Sequence, residues 1–245
     1  MKNPLHLIPL CIALGFSLAY ADYHYASHSG SSEYPYTSWE TATDSITAAM
    51  RGAEPYDTVY IGAGDYNEAM SMSDADSCMT FIGAGMDSTH CWTDSLSAVW
   101  YFANRTSAQN IWFSQTRPRY CLCERTFGMT IIARNCRFVG DIGIWGEGDS
   151  VIVENCRFEE EEGAVDAAFG VNKLVFRNNY FYFNTDIQPT VFLYTNAAKV
   201  TIENNIFICN SGARAGSIMA GSGAADTIIY KNNYVDHFQW EFEIY

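Results

Sequence analysis

Positive charge is what this chain has least of. Its 245 residues carry 14 Lys and Arg against 28 Asp and Glu, a net charge of −14 at pH 7. A surface of that sign repels phosphate backbones, which argues against nucleic acid as a partner. It also disfavours acidic polysaccharide unless a divalent cation bridges the two. Long apolar runs are equally scarce. The one at residues 5–18 follows Lys2 and precedes Ala19-Tyr20-Ala21, the pattern of a cleaved leader (1–21) with Asp22 as the mature start. It is short for a membrane span and contains His6 and Pro9. No later run approaches the ~20 residues a transmembrane helix needs. The expectation is an exported protein, secreted or held at the cell surface, with no membrane span once the leader is removed. Cleavage would take away Lys2 and no acid, making the remainder one charge more negative. The chain also lacks a zinc pattern. Cys121 and Cys123 have no second pair and no nearby histidine couple. With Cys78, Cys91, Cys136, Cys156 and Cys209 they make an odd set after the leader, so at least one stays unpaired even where thiols oxidise.

What the chain does have is a repeat. The segments Arg134-Asn135-Cys136-Arg137-Phe138, Glu154-Asn155-Cys156-Arg157-Phe158, Arg177-Asn178-Asn179-Tyr180-Phe181, Glu203-Asn204-Asn205-Ile206-Phe207 and Lys231-Asn232-Asn233-Tyr234-Val235 share one signature, and their first asparagines lie 20, 23, 26 and 28 residues apart. One strand–turn unit recurring at such a period marks a solenoid, each unit burying its apolar face against its neighbours. The units are β-rich, which predicts an all-β parallel β-helix over residues 58–245. Strands at 58–61, 79–82, 99–102 and 111–113 precede the regular repeats and bring the expected count to about eight coils. Residues 22–57 read as a lead-in and cap. Positions 22–36 are rich in Ser, Gly and Tyr and read as irregular. Thr37-Ser38-Trp39-Glu40 has the form of a capping box, with Trp39, Ala42, Ile46, Ala49 and Met50 on one helical face behind it. A helix laid over the first coil would cover its open apolar end.

Tyr36-Thr37-Ser38-Trp39 with its alanine-spaced helix, then the run from Asp57-Thr58-Val59-Tyr60 to Asn67-Glu68, and the Asn-Asn-x-Phe units resemble secreted bacterial right-handed β-helix proteins of the pectin-lyase-like superfamily. The resemblance implies that fold over nearly all of the chain after the leader. The superfamily holds pectate and alginate lyases, polygalacturonases, tail spikes and surface proteins, so the fold alone transfers no reaction.

The first asparagine of each unit (Asn135, Asn155, Asn178, Asn204, Asn232) lies between two β-runs and suits a left-handed corner, stacked from coil to coil as a structural ladder. Phe138, Phe158, Phe181 and Phe207, three residues on, should stack in the core. The residue before each asparagine reads Arg134, Glu154, Arg177, Glu203, Lys231, alternating in sign, so each charge should face two opposite ones ~4.8 Å away. Cys136 and Cys156 follow their asparagines in adjacent coils and read as packed thiols, since in-register parallel neighbours seldom offer disulfide dihedrals.

Three residues past each core Phe stand Asp141, Glu161, Asn184 and Asn210, and Asp186 lies close by in the sequence. Stacked, they would form an oxygen-rich row able to take Ca²⁺ through Asp141, Glu161 and Asp186, or to bind sugar. A hydrated acidic turn is the plain alternative, and the run Glu159 to Glu162 by itself says only exposure. In lyases of the resembling superfamily, calcium on such acids neutralises a uronate and acidifies its α-proton, and an Arg or Lys takes that proton. Arg157 and Arg214 are the candidates for that base. Asn184-Thr185-Asp186 matches a polygalacturonase element, but the Asp-Asp pair, Gly-His-Gly and Arg-Ile-Lys of that family are missing. Trp145, between Gly143 and Gly146, is placed to project from a turn and stack on a pyranose. The expected function is binding of a polysaccharide or cell-surface glycan, or another surface interaction, without catalysis. The alternative is a calcium-dependent pectate- or alginate-type lyase. The alternating aromatic strand at 238–245 has no cap after it, which suggests end-to-end self-association or a chain that continues beyond it.

Overall fold

The computed structural model describes residues 21–94, 98–115, 120–124, 129–146, 148–166, 171–183, 191–193, 199–210, 215–221 and 226–244, with backbone alone at 124, 141–142, 160–166, 192–193, 215–221 and 238–244. It is a right-handed parallel β-helix with three faces. Period-two alternation builds each strand. In Lys199–Glu203, Val200 and Ile202 point inward and are buried, while Thr201 and Glu203 point out. Nine parallel strands stack on the first face, from Tyr23–Ala26 through Thr58–Ile61 to Thr227–Lys231. The second and third faces are joined where Arg137–Trp145 and Arg157–Asp166 run through the bend between them. Arg137, Phe138 and Val139 pair with Trp112, Phe113 and Ser114 on the second face, while Ile144 and Trp145 pair with Leu122 and Cys123 on the third. The regular solenoid is shorter than the eight coils expected: about five turns carry the asparagine corner in its full repeated form, and the turn just ahead of them has the corner, at Asn110, without the preceding charge.

The corner between the first and second faces sets the register. Its asparagines are left-handed, with φ of 50° at Asn135, 56° at Asn155, Asn178 and Asn204, and 55° at Asn232. Asn110 (φ 59°) adds one more, accepting a hydrogen bond from Asn135 Nδ2 at 3.2 Å. The side chains of the five repeated asparagines are exposed, and Asn110 is half-buried. The buried ladder is made by the next residue in each coil. Asn179 donates from N and Nδ2 to Asn205 Oδ1 at 2.9 and 3.1 Å, and Asn205 does the same to Asn233 Oδ1 at 2.9 and 3.0 Å. Each Nδ2 also donates to a carbonyl of the preceding coil: Asn179 to Val153, Asn205 to Phe176 and Asn233 to Ile202. Cys156 and Cys136 continue the same row, Cys156 N donating to Asn179 Oδ1 and Cys136 N to Cys156 Sγ. Both are free thiols, as are the other five cysteines of the described residues.

Inside, Phe113, Phe138, Phe158, Phe181 and Phe207 form a buried stack with successive centroids 5.6, 4.8, 4.8 and 4.7 Å apart. Outside, the alternating charges meet as ion pairs: Arg134 with Glu154 (3.0 Å), Glu154 with Arg177 (3.6 Å), Arg177 with Glu203 (3.1 Å) and Glu203 with Lys231 (3.0 Å). Lys231, helped by Arg177, holds the Glu203 carboxyl below the usual carboxylate range.

The N-terminal part differs from the sequence expectation. The lead-in is not irregular throughout, because Tyr23–Ala26 pairs residue for residue with Thr58–Ile61 and adds a strand to the first face. The helix is short, Ile46–Arg51, and Trp39 lies outside it, packed edge-on against Tyr25. Its N-cap is Ser45, not Thr37. A carboxylate from the second face completes the cap: Glu68 accepts from Ser45 Oγ (2.9 Å), Ile46 N (2.8 Å) and Thr47 N (3.0 Å). These are free N–H groups of the kind a capping-box glutamate satisfies from within its own helix. The lead-in is tied down at its other end by the buried Asp57, which accepts from Asp22 N, Glu54 N and the His24 ring.

Two outcomes test this account. Asn205→Ala strands several buried partners and should destabilise the protein by roughly 2–4 kcal/mol in denaturant melts. Asn204→Gly, which keeps the left-handed corner, should cost less than about 1 kcal/mol; equal losses would refute the assignment of the buried ladder. Glu154→Lys places a lysine between Arg134 and Arg177. Exposed cross-strand pairs contribute roughly 0.2–1 kcal/mol each, so Tm should fall modestly, and more at low salt. An unchanged Tm at low salt would contradict the ion-pair row.

Candidate functional site

The acidic row expected from the repeat is interrupted in the backbone. Gly140 pairs with Glu160 and Ile142 with Gly163, so Asp141 alone faces both Glu161 and Glu162 across a bulge. Asp141 and Glu161 are therefore not simple in-register neighbours, as the three-residue spacing from Phe138 and Phe158 had implied. Their side chains, and all of Asn184, Asp186 and Arg214, lie outside the described residues. Asn210 is exposed; its N donates to Phe183 O (2.8 Å) and its Nδ2 to Tyr182 Oη (3.3 Å). Trp145 ends a strand of the third face instead of projecting from a turn, stacked on Tyr120 at 5.3 Å. Among the described residues no group of three or more His, Cys, Asp or Glu is gathered for a metal ion.

The side chains that do come together lie on the outer side of the second face. Coil by coil, one row there reads Asp65, His90, Trp112, Arg137, Arg157, Tyr180. The row beside it reads Asn67, Trp92, Ser114, Val139, Glu159, Tyr182. They form one continuous network. The His90 ring lies flat on Trp112, centroids 3.8 Å apart and 17° from parallel, and Arg137 covers the same indole at 4.5 Å. Glu159 sits between two guanidiniums, 2.6 Å from Arg137 and 2.5 Å from Arg157, and Asp87 reaches Arg137 at 3.7 Å. Arg157, proposed from sequence as a base, is thus paired with a carboxylate and lies over Tyr180 at 5.7 Å. At the other end His90 Nδ1 lies 2.7 Å from Asp65 Oδ1, and its Nε2 lies 2.6 Å from Ser114 Oγ.

Inward from this network the groups are held neutral. Burial pushes the Tyr66 phenol up to about 12 and raises the Cys91 thiol well above the ordinary thiol range. The outer rows themselves are aromatic and hydrogen-bonding, with Arg137 and Arg157 already matched by Glu159 and Asp87.

Sequence reasoning passed over Asp65, His90 and Ser114. The signal available was spacing: they lie 25 and 24 residues apart, within the asparagine period, and each stands one residue before or after an inward-facing position of its strand. Asn110 and Phe113 place Ser114 in the repeat frame, but the coils of Asp65 and His90 carry no asparagine corner to align them with it.

A family model described as the right handed beta helix region matches residues 107–236. Among solved structures, pectin methylesterase PemA from Erwinia chrysanthemi is similar with a TM-score of 0.57 at 12% identity, covering 91% of this chain and 81% of that one. A pectin methylesterase in complex with hexasaccharide VII is similar with the same TM-score and identity, covering 92% and 82%. At that identity the likeness is one of fold. No curated protein matches the sequence.

Proposed function

Because the chain belongs to the right-handed β-helix family, we propose that it is an exported glycan-binding protein whose binding surface is the outer side of the second face. The observation that carries this reading is repetition: each coil brings an aromatic or hydrogen-bonding side chain to the same two rows, from Trp92 to Tyr180 and Tyr182. A polymer laid along the axis would meet a similar contact every ~4.8 Å. Aromatic rings with polar edges suit sugars, whose C–H faces are apolar and whose rims are hydroxyls. A protein of the same fold solved with a hexasaccharide supports the ligand class.

Charge narrows the choice. The chain is net −14 and Glu159 already occupies both arginines of the surface, which favours an uncharged glycan over a uronate. A lyase would need its calcium from the acids around Asp141 and Glu161, where the backbone register breaks.

Affinity electrophoresis against a panel of neutral and acidic polysaccharides tests the proposal. A neutral glycan should retard the protein, and Tyr180→Ala with Tyr182→Ala should weaken binding about tenfold, ~1.4 kcal/mol. Retardation by no polysaccharide, or equal affinity in the double variant, would sink it.

A further inference from the structure

We propose that Asp65, His90 and Ser114 form an acyl-transfer triad that hydrolyses carboxylic esters; on the reading above, which this inference extends, the natural ester is an O-acyl group on a bound glycan.

The geometry assigns the roles. Asp65 accepts only, so His90 Nδ1 carries the proton it donates across 2.7 Å. In the neutral ring Nε2 is then an acceptor, and the hydroxyl of Ser114 donates to it across 2.6 Å. A carboxylate orients the base and the base is bonded to a hydroxyl, the arrangement by which such triads are recognised irrespective of fold or residue order. Three successive coils supply one member each, on the outer side of one face. Trp112 holds the imidazole plane by stacking at 3.8 Å, so the ring is fixed in orientation as well as in tautomer. Cys91, next to His90, is fully buried and points inward, so it does not compete as nucleophile. The Asp65 side chain is 79% exposed, against 18% for His90. A carboxylate so well hydrated stabilises imidazolium less than a buried one, so turnover is expected to be slow.

The step balances as follows. Ser114 Oγ bonds to the ester carbonyl carbon while His90 Nε2 takes its proton. The carbon–alkoxy bond then breaks and His90 returns the proton to the leaving alcohol. Water attacks the acyl-serine, again giving a proton to His90, and Oγ recovers it as the carboxylic acid leaves. The net reaction consumes one ester and one water.

The purified full chain is tested with p-nitrophenyl acetate and, separately, with a fluorophosphonate that labels activated serines, read by intact mass and peptide mapping. The expected result is ester hydrolysis and a single label on Ser114. Ser114→Ala and His90→Ala should lower the rate about 10²-fold or more, with circular dichroism and Tm close to the parent. Asp65→Asn should cost about tenfold, less than it would for a buried carboxylate. A merely structural hydrogen-bond chain would shift Tm and leave Ser114 unlabelled. If His90→Ala unfolds, Ser114→Ala alone decides, since it removes one hydroxyl from a surface position. Equal hydrolysis by Ser114→Ala and the parent, or no label on Ser114 in folded protein, overturns the triad. Glycan binding measured on the same samples separates the two readings. Hydrolysis without glycan retention supports the triad and fails only the glycan, whereas retention without hydrolysis overturns the triad alone.

Discussion

Register between coils is the constraint on which this molecule depends. A parallel stack has no hairpins to fix the pairing of one strand with the next, and a slip by one residue would turn every inward side chain outward. The corner between the first and second faces prevents that slip. A left-handed asparagine ends one strand at a defined residue, and the following buried amide hydrogen-bonds to the coils on either side of it. Each such amide satisfies backbone groups that would otherwise be buried without partners, so the alternative registers are penalised as much as the native one is favoured. The phenylalanine stack and the ion-pair row follow from this alignment and reinforce it; neither would exist in a slipped frame.

The same alignment is what makes an outer surface useful. Three residues from three coils can be brought to hydrogen-bonding distance only if those coils are in register, and Asp65, His90 and Ser114 are separated by whole turns of the chain. Side chains on a strand stand perpendicular to the sheet with few choices of direction. A solenoid is therefore a rigid frame on which a site is specified by coil and row. The Trp112 ring, held between His90 and Arg137, carries that order from the first coils into the regular ones.

Much of this frame was legible in the sequence because its causes are local. The asparagine corner is a backbone preference written in one residue, the inward phenylalanines follow at a fixed offset, and the alternating Arg134, Glu154, Arg177, Glu203 and Lys231 needed only the repeat to be paired. Where the causes are distant, sequence reasoning fell short. The helix cap is completed by Glu68, which no pattern near Ser45 announces. The buried ladder changes chemistry along its length, from Cys136 and Cys156 to Asn179, Asn205 and Asn233, so it does not read as one row. The acidic row was counted forward from the phenylalanines across a bulge that the count could not contain. Asp65 and His90 lie ahead of the asparagine signature, where there was no frame to align them with Ser114.

The bulge opposite Asp141 has a wider consequence. Successive asparagines lie 20, 23, 26 and 28 residues apart, yet the strands of the first face and the start of the second remain in step from coil to coil. All the added length is therefore taken up beyond the first part of the second face. From Asn135 to Asn232 the first face and the start of the second take none of the added length, and the rest of each coil takes all of it. Gene rearrangement, or a protein engineer, can graft new segments at the permissive side while the opposite corner keeps time for the whole stack.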